Sequence, residues 1–137
     1  MKKKKNLKKI ILILVASVSI FALIIFFCSF VMIYQDVKDN CLEAQKEYGD
    51  DCVDSLIKIV QSQSQTYRLK NSAIWTLGQL ADKKALPFLY ELDKSLLPQK
   101  KCDLDKYLCK YEVQKAIKWF QKGNITSWMY GNRESWH

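Results

Sequence analysis

The stretch IILILVASVSIFALIIFFCSFVMI, Ile10 to Ile33, runs for 24 residues without a charged side chain. As a helix it is about 36 Å long, enough to cross a hydrocarbon core of about 30 Å with some tilt. Inside lipid a backbone must satisfy its own hydrogen bonds, so a helix is the only form open to an isolated span. The preceding residues, MKKKKNLKK, carry six lysines and no acid. Signal-peptide cores are shorter, about 7–15 residues, and end at a small-x-small site. This one ends in Cys28, Phe30, Met32 and Tyr34, and the IIFF before Cys28 lacks the small residues of a lipoprotein signal. An uncleaved signal-anchor over residues 10–34 is therefore expected, in contact with the bilayer. Residues 1–9 are expected in the cytoplasm and residues 35 onward on the exported side, periplasmic or extracellular.

The anchor also explains the charge. The chain has 22 basic and 14 acidic residues, a formal +8, but six of the lysines precede the apolar stretch. Beyond Tyr34, 16 basic residues face 14 acidic ones. The basic balance thus reports topology, and no nucleic-acid partner is expected. Cys28 falls inside the span. The other four cysteines, Cys41, Cys52, Cys102 and Cys109, form an even set in the exported part. Their spacings do not suit a zinc ribbon, which wants close pairs. Structural disulfides are expected, with Cys41–Cys52 and Cys102–Cys109 the first choice among three connectivities. Cys41 and Cys52 on one continuous helix would lie about 16 Å apart, so pairing requires the chain to fold back at Gly49.

The exported part reads as all-α. A connecting helix over Gln35–Tyr48 carries Val37, Cys41, Leu42 and Ala44 on roughly one face, and residues 35–51 form this helix and its turn. Asp51 is a candidate N-cap for a helix with the stripe Val53, Leu56, Ile57 and Val60. After the polar run QSQSQT, a helix over about 67–80 puts Leu69, Ala73, Ile74, Leu77 and Leu80 within an arc of about 120°. Arg68, Asn71, Ser72, Trp75 and Gln79 fall on its other side. A third helix starts near Ala85, with Pro87 in its first turn, the stripe Leu86, Leu89, Leu92 and Leu96, and Pro98 ending it. A fourth is expected over about 106–122, with Cys109, Val113, Ala116, Ile117 and Phe120 inward and Gly123 as its stop.

Two helical hairpins over residues 52–123 look like copies of each other. CVDSL at 52–56 superposes on ALPFL at 85–89, and AIWTL at 73–77 on AIKWF at 116–120. The run AIWTLGQLADKKALPFLYEL, together with Arg68 and Asp82, resembles a HEAT-like repeat of the short bacterial phycobilisome-lyase type. The resemblance covers about 40 residues, Val53 to Leu92, and amounts to one and a half to two repeats. It implies a small α-solenoid and a protein-binding scaffold; nothing in the residues points to chromophore attachment. In such stacks the second helices line the concave surface, which makes Arg68, Trp75, Tyr111 and Lys118 candidate contacts. Trp75 can instead pack against the neighbouring helix or the tail.

No catalytic constellation stands out. The single histidine is His137, and the carboxylate pairs Asp50/Asp51 and Asp103/Asp105 sit where helix caps are expected. Four glycines are scattered singly, so no phosphate loop is formed. Enzyme activity, a cofactor, a metal and a small-molecule substrate are all unexpected. The tail, residues 124–137, is rich in apolar rings: Trp128, Tyr130 and Trp136, beside Met129. Two hairpins leave stack ends open, so the tail either caps them or docks on a partner. Asn124-Ile125-Thr126 matches a glycosylation triplet, of little weight by itself. The expected function is a membrane-anchored accessory or assembly subunit of a membrane or envelope complex. It would bind protein through Arg68, Asn71, Ser72, Trp75, Gln79, Tyr111, Lys118 and the tail rings. The alternative is an exclusion or immunity-type inhibitor of a toxin, phage component or envelope enzyme.

Overall fold

The structure is a computed structural model that describes residues 2–95, 97–98, 101–133 and 136, with side chains from Lys8 onward. Leu96 of the expected third stripe and His137 lie outside the described residues. Every regular element among those described is helical. The chain divides into two units, residues 1–33 and 34–137. The first unit is helical, with an 18-residue window reaching a mean hydropathy of 3.2 and none of its side chains buried. It is the one helix long and apolar enough to cross a membrane among the described residues. Ser17, Ser19 and Ser29 return their hydroxyls to carbonyls one turn back, so they add no unpaired donor there.

The helix that begins at Lys2 does not stop at the end of the apolar stretch: α1 spans Lys2–Tyr48. The expected connecting helix is therefore the last part of α1, since nothing from Tyr34 to Tyr48 breaks the helical register. Gly49 then takes a φ of +75°, which suits a residue without Cβ, and the chain turns back. Asp51 caps α2 (Cys52–Gln61) by accepting from the Val53 and Asp54 backbone N–H groups. Thr66 caps α3 (Tyr67–Leu80) through Leu69 N–H. Ala81 closes α3 in the left-handed region at φ 49°, a conformation more at home in glycine. A 3₁₀ turn at Lys83–Ala85 leads into α4 (Leu86–Lys94), with Pro87 in its first turn. Then follow a long loop, α5 (Lys110–Lys122) and a tail with a 3₁₀ turn at Ser127–Tyr130.

The fourth helix begins later than its apolar pattern suggests, because side chains hold the backbone before it. Asn71 of α3, only 2% exposed, donates to the Leu104 and Tyr107 carbonyls and accepts from the Cys109 backbone N–H. The Cys102–Cys109 disulfide closes the same loop, with Cα atoms 5.3 Å apart. Residues 106–109 are thus irregular, and Cys109 is the buried N-cap of α5. Asp103 and Asp105 belong to this loop and cap no helix: Asp103 accepts from the Asp105 backbone N–H, and Asp105 pairs with Arg68. The second disulfide joins Cys41 of α1 to Cys52 of α2, Cα atoms 4.9 Å apart, so both expected pairings are present.

The core of the second unit gathers Val37, Cys41 and Ala44 from α1 with Val53, Leu56, Ile59 and Val60 from α2. Ala73, Ile74 and Leu77 of α3 and Val113, Ala116 and Ile117 of α5 complete its middle. Helices pack pairwise as α2 on α3, α3 on α5 and α5 on α4. Gly78 sets the approach of α3 to α5: a Cβ there would lie 2.8 Å from the Ala116 Cα and Cβ and from the Trp119 ring. Tyr130 and Trp136 of the tail are buried in the core beside Tyr34. Tyr34 and Tyr130 stack with centroids 6.2 Å apart, and the Trp136 indole N–H donates to the Tyr34 hydroxyl at 3.1 Å. Of the two expectations for the tail, folding back is what the structure displays.

Candidate functional site

Helix α3 is central, and three segments close around its polar side. Loop 101–109 is held at one edge by Asn71. At another edge Asn40 of α1 donates to Ser72 Oγ at 3.0 Å and Thr76 Oγ1 at 2.9 Å. At the C-terminal end Gln79, 5% exposed, accepts from Asn124 Nδ2 and Thr126 Oγ1 of the tail. Between these clamps a short strip of α3 stays at least partly exposed, Arg68, Ser72 and Trp75. A hollow of about 340 Å³ opens on one side of Trp75, lined by Arg68, Asn71, Ser72, Leu104, Glu112 and Lys115. A second, of about 330 Å³, opens on its other side, lined by Asp36, Asp39, Asn40 and Ser72. Trp75 and Ser72 form the ridge common to both.

Several candidate residues turn out to have internal duties. Asn71 and Gln79 were expected on an outward face; they are buried because the Asn71 amide serves backbone groups of the loop and the Gln79 side-chain oxygen accepts from side chains of the tail. Tyr130 and Trp136 are buried too. Ser72 accepts from Asn40, and Trp75 is half-buried with part of its ring against the core. Arg68, Tyr111, Lys118 and Trp128 remain exposed. Trp128 and Ile125 are each 74% exposed. The glycosylation triplet has a structural use: Asn124 spans to Gln79, and its side-chain oxygen accepts from the Thr126 backbone N–H.

Electrostatics around the ridge are asymmetric. Arg68 meets Asp105 in a two-point contact, Nε to Oδ1 at 2.6 Å and Nη2 to Oδ2 at 3.1 Å. Its guanidinium holds the Asp105 carboxyl below the usual carboxylate range. Lys115 lies 3.6 Å from Glu112 and 5.0 Å from the Trp119 ring centroid. Asp36 and Asp39 have no such partner among the described residues. Sequence reasoning missed these two, with Asn40, Glu112 and Lys115. The signal was there for α1: Asp36, Asp39, Asn40 and Glu43 recur at spacings of three and four, which places them on one side of a helix.

A second polar cluster lies elsewhere. Lys84 bridges Asp51, at 2.5 Å, and Asp54, and Arg133 of the tail pairs with Asp82. A cavity of about 330 Å³ beside Cys52 is lined by Asp51, Asp82, Lys84, Arg133 and Trp136. Burial raises the Asp51 carboxyl, but hydrogen bonds from Lys84 and the Asp54 backbone outweigh it and hold the group below its ordinary value. Among the described residues no three His, Cys, Asp or Glu side chains are placed to hold a metal ion. Family models, curated proteins and solved structures yield no match to this chain.

Proposed function

We infer that this protein is a membrane-anchored docking subunit, whose disulfide-bonded helical unit binds another protein across the Trp75 ridge. The observation that carries this reading is the strip Arg68–Ser72–Trp75, which stays at least partly exposed between the loop, the tail and α1 and has a hollow on either side of Trp75. Tryptophan and arginine are favoured interface anchors, and a half-buried indole flanked by two hollows gives a partner a fixed point to pack on. The apolar helix supplies attachment to a bilayer, and the two disulfides suit a unit on the exported side. The pairing of α2 with α3 and α4 with α5, joined through α3 on α5 at Gly78, supports a HEAT-like arrangement of two hairpins.

The test is purification of the full-length protein from its native membrane in mild detergent with crosslinking mass spectrometry, beside an Arg68→Ala/Trp75→Ala variant. A stoichiometric partner crosslinked around Trp75 and lost from the variant is the expected result. Thermal melting of the variant, followed by helical circular dichroism, separates a lost contact from a lost fold. Recovery of the wild-type chain as a lone monomer overturns the subunit reading and favours the inhibitor.

A further inference from the structure

The open strip on α3 is bordered on one side by carboxylates that lack counter-ions. Asp36, Asp39 and Glu43 fall within an arc of about 60° on α1. Asp36 and Asp39 line the hollow beside Trp75 and appear in no ion pair among the described residues. Beyond Trp75 the charges balance, Arg68 against Asp105 and Lys115 against Glu112. The hollow therefore joins two uncompensated negative charges to an indole. Asn40 adds to this: its amide N–H groups are committed to Ser72 and Thr76, so what it offers an incoming group is its carbonyl oxygen. Acceptors, negative charge and an aromatic wall together select a cationic donor, through charge-assisted hydrogen bonds and cation–π attraction.

We propose that the hollow formed by Asp36, Asp39 and Trp75 receives a lysine or arginine side chain from a basic segment of the partner protein. This rests on the docking reading above and gives that partner its chemistry. A space of about 330 Å³ suits the head of one or two long side chains. The balanced hollow on the other side of Trp75 suits the uncharged part of the same segment. Asp36 and Asp39 are exposed and their side chains bond to nothing among the described residues, so removing their charge leaves the packing intact.

The experiment uses the full-length protein in detergent and a fluorescein-labelled peptide of alternating lysine and leucine, with a glutamate-for-lysine peptide as control. Fluorescence anisotropy is expected to show binding of the lysine peptide alone, weakened by added salt. Asp36→Asn/Asp39→Asn is expected to weaken it about tenfold or more, whereas Glu91→Gln on α4 leaves it unchanged. Absence of binding, or binding untouched by the double substitution, overturns the proposal. So does saturation by tetramethylammonium without any peptide binding, which assigns the hollow to a small quaternary ammonium group. In the native-membrane crosslinking, a partner retained in full by Asp36→Asn/Asp39→Asn overturns the cationic contact but leaves the docking face standing. No crosslinks at Trp75 in the wild type remove the docking face itself.

Discussion

At the scale of single residues, the most consequential side chain is a polar one that looked like surface. Asn71 uses both faces of its amide to hold three backbone groups of a loop more than thirty positions away. Replacing it by alanine leaves two part-buried carbonyls and a buried N–H without this partner. Asn71→Ala is expected to cost about 2–3 kcal/mol, read as a shift of the urea midpoint of the detergent-solubilised protein. A change below about 0.5 kcal/mol, the range of ordinary surface substitutions, contradicts the clamp. Periodicity alone could not have found this role, because a helical wheel sorts residues by polarity and Asn71 is polar. Its signal is indirect: an asparagine opposite a cysteine-closed loop, where backbone groups outnumber the partners a loop can supply. Gly78 is the opposite case. Its place in the LGQL run is legible in the sequence, and its reason, contact with Ala116, is visible only in space.

At the scale of elements, helix existence was legible and helix ends were less so. α2 and α3 begin at residues whose side chains cap them, Asp51 and Thr66, and a cap is written locally. α5 has no side-chain cap, and its start is set by Asn71 and a disulfide, both outside its own stretch. The same distinction explains α1, where an expected connecting helix proved continuous with the apolar one. The Cys41–Cys52 link ties the last turns of α1 to the first of α2 across a separation of 11 residues. Closing a loop of that length is worth about 2.5–3 kcal/mol in the chain-entropy account. Cys41→Ala/Cys52→Ala is therefore expected to lower stability by about that amount, with Cys102–Cys109 intact by mass spectrometry. An unchanged melting temperature would falsify a structural role for the link.

At the scale of the whole molecule, charge sets the pH range of stability for the 34–137 unit. Asp51 and Asp105 are held below their ordinary values, so their contribution is complete above the unfolded carboxylate pKa of about 3.9 and is lost as pH falls through the folded values. Both are exposed enough for solvent to screen them, so the acid loss is modest. Burial pushes the Tyr130 phenol up, the nearby Thr126 hydroxyl offsetting only part of it, and its oxygen has no hydrogen-bond partner among the described residues. The neutral phenol is thus favoured in the folded state, and stability falls as pH rises past about 10. Lys84, raised chiefly by its bonds to Asp51 and Asp54, adds to the alkaline loss. The melting temperature is expected to be level from about pH 5 to 9 and to decline on both sides; a level profile down to about pH 2 contradicts the carboxylate contribution. The contact between Tyr34 and Trp136 has a temporal meaning as well. The two rings are separated by 102 positions, so the first helix waits for its aromatic neighbour until the ribosome has added every residue between them. A chain built this way cannot complete its core in step with synthesis. Whatever handles the chain during synthesis meets it while the place beside Tyr34 is still empty, and the core closes only once residue 136 has joined it.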